Sequence, residues 1–258
     1  MLPSVLRLLA RLPSWIRGDV LRGVAVMGAA VTLSTGCNHE VYSPPARMLP
    51  LESPATLGYG ETGVQLEGGA HGAIFGPQGE SGTVRVRRGI ADGTDASGEV
   101  SVLHVDGSSA AGTYPYAFAA RGGVKQRLTP WLSVGAGFGG GASAGGGFLS
   151  PDIGAVVGYE NPYLVPFLSV RGGVSAPFAT HTVDTSTPSD GVGKYVYTPP
   201  FTWVGGAVAG LRVPIGWCDP GPCPVRGSLL GGVGLTYLAG GGNSTGVASL
   251  ATGGEIVF

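Results

Sequence analysis

The chain ends VASLATGGEIVF, residues 247–258, and this stretch decides the fold. It alternates with period two, so that Leu250, Ile256 and Phe258 share one side and Glu255 takes the other. That is the period of a β-strand, and an aromatic residue closes it at the last position. Going back along the chain, short alternating runs separated by turn residues recur as far as residue 63. They cover 225–238, 195–213, 163–175, 144–158, 130–140, 112–124, 98–106, 82–91 and 63–75. With the last run this predicts ten strands, and eight is the alternative count.

The alternation has a direction. In 130–140, Leu132, Val134, Ala136 and Phe138 oppose Ser133, Gly135 and Gly137. In 163–175, Leu164, Leu168, Val170 and Val174 oppose Ser169, Arg171 and Gly173. In 225–238, Val225, Leu229, Val233, Leu235 and Tyr237 oppose Arg226, Ser228, Gly232, Gly234 and Thr236. The second face is small or charged. A sandwich needs a bulky apolar inner face, whereas a membrane barrel is apolar outside and polar inside. The predicted fold is therefore all-β, an antiparallel up-and-down transmembrane β-barrel over residues 63–258. The run 98–106 fits neither face cleanly, because Val100 and Val102 oppose Leu103 and Val105. Tyr114, Tyr116, Tyr163, Trp131, Trp203 and Tyr237 lie near strand ends, where rings at a membrane–water boundary would sit.

Composition agrees. Only 12% of the residues are charged, about half the usual soluble share. The 49 glycines follow no three-residue period and are interleaved with apolar residues, which excludes collagen and disordered glycine-rich chains. A net charge of -1, with the basic residues scattered, argues against a nucleic-acid partner.

The N-terminus is organised differently. Residues 1–23 carry Arg7, Arg11, Arg17 and Arg22, then VAVMGAAVTLST runs from 24 to 35, ahead of Gly36-Cys37. A basic region, a short apolar region and a small residue make 1–36 an export segment. Residues 37–62 hold Pro44, Pro45, Pro50 and Pro54 without a period, which predicts an extended periplasmic tether.

Two resemblances follow from these residues. Gly36-Cys37 after the apolar run resembles the lipobox of bacterial lipoproteins, although Leu33 stands one place too far from Cys37. The resemblance implies a lipid on Cys37 and lipoprotein-processing enzymes as partners; ordinary signal cleavage nearby is the alternative. Residues 63–258 resemble small bacterial outer-membrane β-barrel proteins. That implies outer-membrane lipids and the barrel assembly machinery as partners, with Ile256 and Phe258 as the assembly signal. Gly254 and Thr252 depart from the usual apolar run there. Such final strands end in the periplasm, so turns near 125–130, 159–163 and 214–224 are expected there as well. The connections at 76–81, 107–111, 141–143, 176–194 and 239–246 are then expected to face outward, and the longest of them, 176–194, is polar. The N-terminus is expected in the periplasm.

Other constellations are weighed on their chemistry. Cys218 and Cys223 flank Asp-Pro-Gly-Pro, a spacing that suits a disulfide in an oxidising compartment; a metal site is the rival, without a histidine or third cysteine near. Glu67, Arg85, Arg87, Arg121, Arg171, Arg212, Arg226 and Glu255 fall on the inward face. Buried charges must pair or stay wet, so these form either an ion-pair plug or a lining for anions. His181, Asp184 and Ser186 are the one Ser/His/Asp grouping in a polar loop, a pattern common by chance. The glycine runs at 139–141 and 145–147 lack the Lys-Ser/Thr of a phosphate loop. No cofactor, no metal and no enzymatic activity are expected. The expectation is a structural or surface-interaction barrel with a plugged lumen. A small anion pore, a lipid-modifying enzyme and a soluble β-domain lipoprotein are the alternatives.

Overall fold

The computed structural model describes residues 42–48, 50–73, 78–106, 116–143, 145–184, 196–215 and 225–258. Ten long strands close into one barrel, the number expected from the alternation. They are β1 (Thr62–Ala73), β2 (Gln78–Ala91), β3 (Thr94–Asp106), β4 (Tyr116–Thr129), β5 (Leu132–Ser143), β6 (Gly146–Gly158) and β7 (Val165–Phe178). A two-residue ribbon follows, β8 (Val183–Asp184) with β9 (Val196–Tyr197), and then β10 (Thr202–Ile215), β11 (Arg226–Gly240) and β12 (Asn243–Val257). β10 pairs with β7, and every barrel pair is antiparallel. The barrel strands run 12 to 15 residues, more than the ~9–11 that a tilted strand needs to cross a bilayer.

Closure is made by the quoted terminal strand. β12 pairs with β1 from Gly63↔Val257 to Ala73↔Val247. Thr62 and Phe258 then exchange backbone hydrogen bonds of 3.1 and 2.8 Å beyond the last strand pair. A barrel closed this way has no free sheet edge.

The two ends of the barrel differ. Phe258, the Asp92–Gly93 turn, the Pro130–Trp131 turn and residues 159–164 share one end. The end of β3, the start of β4, the β5–β6 turn at Gly145, residues 179–184 and 196–201 and the Gly241–Gly242 turn share the other, called here the loop end. Gly241 and Gly242 have φ of 63° and 90°, the conformation that a two-residue hairpin between Gly240 and Asn243 requires. β10 starts later than the run predicted from 195. Pro199 and Pro200 cannot donate to a ladder, and Val196 and Tyr197 pair within the loop ribbon instead.

The outer wall is apolar. Leu66, Val84, Val100, Phe118, Phe138, Ile153, Val170, Leu229, Val233 and Leu250 are all exposed on it. Trp131, Tyr159 and Tyr163 stand exposed at the Phe258 end, and Tyr116, Trp203 and Tyr237 at the loop end. Tyr114 lies outside the described residues. The register also assigns the face that the sequence left open in β3. Asp95 and Glu99 point inward and are buried, while Val100 is 57% exposed.

Candidate functional site

Ahead of β1, the described residues 42–48 and 50–57 lie inside the barrel. Leu51 packs in a buried apolar cluster with Val156, Phe167, Val208, Leu230 and Ala251, which come from five strands. The inward face is therefore not purely small and polar, and Phe167, Val208 and Leu230 are turned toward the lumen to meet Leu51. Wall side chains satisfy the backbone of the segment. Ser175 Oγ donates to the Pro44 carbonyl (2.7 Å), Ser101 Oγ to Ala46 (3.1 Å) and Thr236 Oγ1 to Met48 (3.3 Å). Gln65 Nε2 donates to Leu51 (2.9 Å), and Lys125 Nζ to Ser53 (3.3 Å) and Ala55 (2.6 Å). These donors come from β7, β3, β11, β1 and β4, which surround the segment.

This corrects the reading of the proline-rich stretch as a periplasmic tether. Its described residues 42–48 and 50–57 thread the lumen. The prolines suit that place for the reason that suggested a tether: they hold the backbone extended. They also have no N–H, so each removes a donor that a buried segment would otherwise have to satisfy.

An ion-pair network surrounds the segment. Arg121 grips Asp152 with two hydrogen bonds of 2.6 and 2.8 Å and reaches Glu99 at 3.0 Å. Glu99 also accepts from Arg85 at 3.2 Å and lies 3.3 Å from Arg47. Arg47 donates to Glu52 at 2.6 Å and to Glu67 at 2.9 Å. Arg85 and Arg171 both reach Glu52 from the wall. Arg171 Nη1 lies 3.0 Å from Asp152 without hydrogen-bond alignment. Closer to the Phe258 end, Arg87 bonds Glu255, and it donates to Asp95 at 3.0 Å. Lys125 and Arg212 lie farther from their carboxylates, each 3.9 Å from Asp95 and Glu255 respectively.

The inward residues expected from the sequence therefore divide. Glu67, Arg85, Arg87, Arg121 and Glu255 are buried in the lumen, and Arg171 and Arg212 are partly buried there. Arg226 does not belong to the set. It sits at the first position of β11, half exposed, and pairs with Glu61 at the rim. Alternation gives a residue's face but not its depth, and at a strand end the inward face opens to water. Sequence reasoning missed Arg47, Glu52, Asp95, Glu99, Lys125 and Asp152. Asp95 and Glu99 fell in or beside the ambiguous run, and Arg47 and Glu52 lay in the supposed tether. These acids remove the apparent excess of inward arginine.

Glycine makes the space for this filling. A Cβ on Gly137 would stand 1.9 Å from the Arg121 guanidinium, and one on Gly139 would stand 2.7 Å from Ala46 of the threaded segment. Gly137→Val should destabilise the folded barrel by about 2–3 kcal/mol, since overpacking alone costs ~1–3 kcal/mol and here displaces a paired arginine. Unfolding in urea from detergent measures it, with Gly98→Val as control because a Cβ there meets nothing. Equal effects of the two substitutions would contradict the packing argument.

The remaining candidates are placed as follows. Ile256 and Phe258 are exposed on the outer wall. His181 is exposed and donates its backbone N–H to Gly145, while Ser186 lies outside the described residues. Cys37, Cys218 and Cys223 lie outside the described residues too. His71, which the sequence did not single out, is buried between Ser249 (2.8 Å) and Ser81 (2.6 Å) on the neighbouring strands.

No protein-family model matches the chain, and no curated protein does. Solved structures similar to it are β-barrels. Neisserial surface protein A is 10% identical over 76% of this chain and 94% of its own, with a TM-score of 0.36. The N-terminal β-barrel domain of Pseudomonas aeruginosa OprF is 11% identical over 77% and 99%, with a TM-score of 0.31. The β domain of the Bordetella autotransporter BrkA is 12% identical over 76% and 98%, with a TM-score of 0.41.

Proposed function

We propose that this protein is a bacterial outer-membrane β-barrel that is closed by its own chain and serves a structural or surface-interaction role. The observation that carries the closed lumen is the threaded segment 42–57 within its ion-pair network. The exposed apolar wall, with aromatic residues near both ends, supports a bilayer as its solvent. The barrel stands with Phe258 toward the periplasm and the loop end toward the exterior, a placement supported by the short turns at the Phe258 end, such as Asp92–Gly93 and Pro130–Trp131, and the long chain between β7 and β10 at the other. The reading assigns no reaction and no cofactor to the chain. It keeps Cys37 as the lipidated residue and Cys218–Cys223 as a disulfide, both of which mass spectrometry of the mature protein decides.

Two measurements test it. The detergent-extracted protein should migrate differently on gels before and after boiling, and in planar bilayers it should pass no steady current. Heat-independent migration would sink the barrel reading, and steady anion-selective current would replace the closed lumen with a pore. Phe258→Ala should lower the yield of heat-modifiable protein in the outer membrane several-fold while leaving the material that does fold unchanged in stability. Phe258 is exposed on the outer wall, so an unchanged yield would count against its role in assembly.

A further inference from the structure

The threaded segment has a direction, and it runs against the expected side for the N-terminus. Ser43 is fixed at the loop end. Its N–H donates to Thr202 Oγ1 (3.1 Å) and its hydroxyl shares a 2.8 Å hydrogen bond with Ser175. Thr202 is the first residue of β10, directly after the long connection, and Ser175 is three residues from the end of β7 that leads into it. Leu57 is fixed at the other end. Its N–H donates to Asp95 Oδ1 (2.8 Å), two residues beyond Gly93 of the β2–β3 turn. Gly60 then bonds Gly89 (2.9 Å), and β1 starts at Thr62 beside Phe258. The chain therefore enters the lumen at the loop end, crosses it, and turns into β1 at the Phe258 end.

We propose that this threading delivers the chain ahead of Tyr42 to the cell exterior, so that Cys37 and the N-terminus of the processed protein are displayed with the outer loops. The proposal rests on the orientation given above, with Phe258 periplasmic. Chain length enforces it. Tyr42 lies five residue steps from Cys37, and fully extended these span at most about 18 Å. The hydrocarbon core is about 30 Å thick, so a processed chain beginning at Cys37 cannot double back to the periplasmic leaflet. A lipid on Cys37 would enter the outer leaflet instead.

The test places a short epitope at one of three positions in the full-length chain: after Glu40, within the Gly241–Gly242 turn, or after Asn161 at the Phe258 end. Antibody binding is read on intact and on permeabilised cells, for variants that keep their heat-modifiability. The Glu40 and Gly242 epitopes should be detected on intact cells and the Asn161 epitope only after permeabilisation. If the Gly242 epitope is detected on intact cells and the Glu40 epitope is not, the threading direction is wrong. If only the Asn161 epitope is detected on intact cells, the orientation of the barrel is wrong and surface display fails with it. Should the insertion after Glu40 block folding, Glu40→Cys labelled with a membrane-impermeant maleimide, read against the unsubstituted chain, asks the same question. Labelling above that background on intact cells supports display, and labelling only after permeabilisation overturns it.

Discussion

Deleting residues 42–57 should open the barrel to ions. The wall would keep Arg85, Arg87, Arg121, Lys125, Arg171 and Arg212 against Glu67, Asp95, Glu99, Asp152 and Glu255, but it would lose Arg47 and Glu52 with the backbone they hang on. Water would take their place, and buried charges that become wet carry little penalty. The strands and their closing register do not depend on the segment, because β1 pairs with β12 and β2 through its own backbone. The deletion variant should therefore remain heat-modifiable and show discrete current steps in planar bilayers where the parent shows none. A silent variant that still folds would mean that the wall side chains alone fill the lumen. A parent that already conducts equally would mean that the threaded segment is no plug.

The second large effect concerns stability. Glu99 is buried and accepts from Arg85 and Arg121, with Arg47 also in reach. Glu99→Gln keeps the shape but removes the negative charge shared by three guanidinium groups. Breaking one side of a buried ion pair costs about 3–5 kcal/mol, because the other side is left uncompensated. The expected result is a loss of that order in urea unfolding from detergent. Glu61→Gln is the internal contrast: Glu61 pairs with Arg226 at 2.5 Å, but both are solvent-accessible at the rim. An exposed pair contributes about 0–1 kcal/mol. If both substitutions cost the same small amount, the lumen is wet enough to screen its charges and the network is not what closes it.

How far the sequence could be read depended on how local each signal was. Val233 facing out and Ser228 facing in follow from the period of two, a property of the strand backbone itself, so the all-β class and the ten-strand count were legible. Register is not local. Whether Glu99 lies opposite Arg85 and Arg121 depends on turns such as Asp92–Gly93, and sliding one strand by a single residue would send its charges outside. Depth is not local either, which is why Arg226 reads like Arg212 along the chain and yet stands at the rim.

The proline-rich stretch shows the same division most clearly. Pro44, Pro45, Pro50 and Pro54 determined by themselves that the backbone there is extended and poor in donors, because the ring fixes φ and removes the N–H. That chemistry suits a tether in water and a thread through a lumen equally well. Only the closed wall decides between them, by bringing Ser101, Lys125, Ser175 and Thr236 from four strands to bond the segment's carbonyls, and by leaving Gly137 and Gly139 without side chains where Arg121 and Ala46 need the room. The alternating strands alone were enough to determine a barrel. What fills it, and in which direction the filling runs, was decided by the tertiary structure, because those contacts join residues up to 188 positions apart.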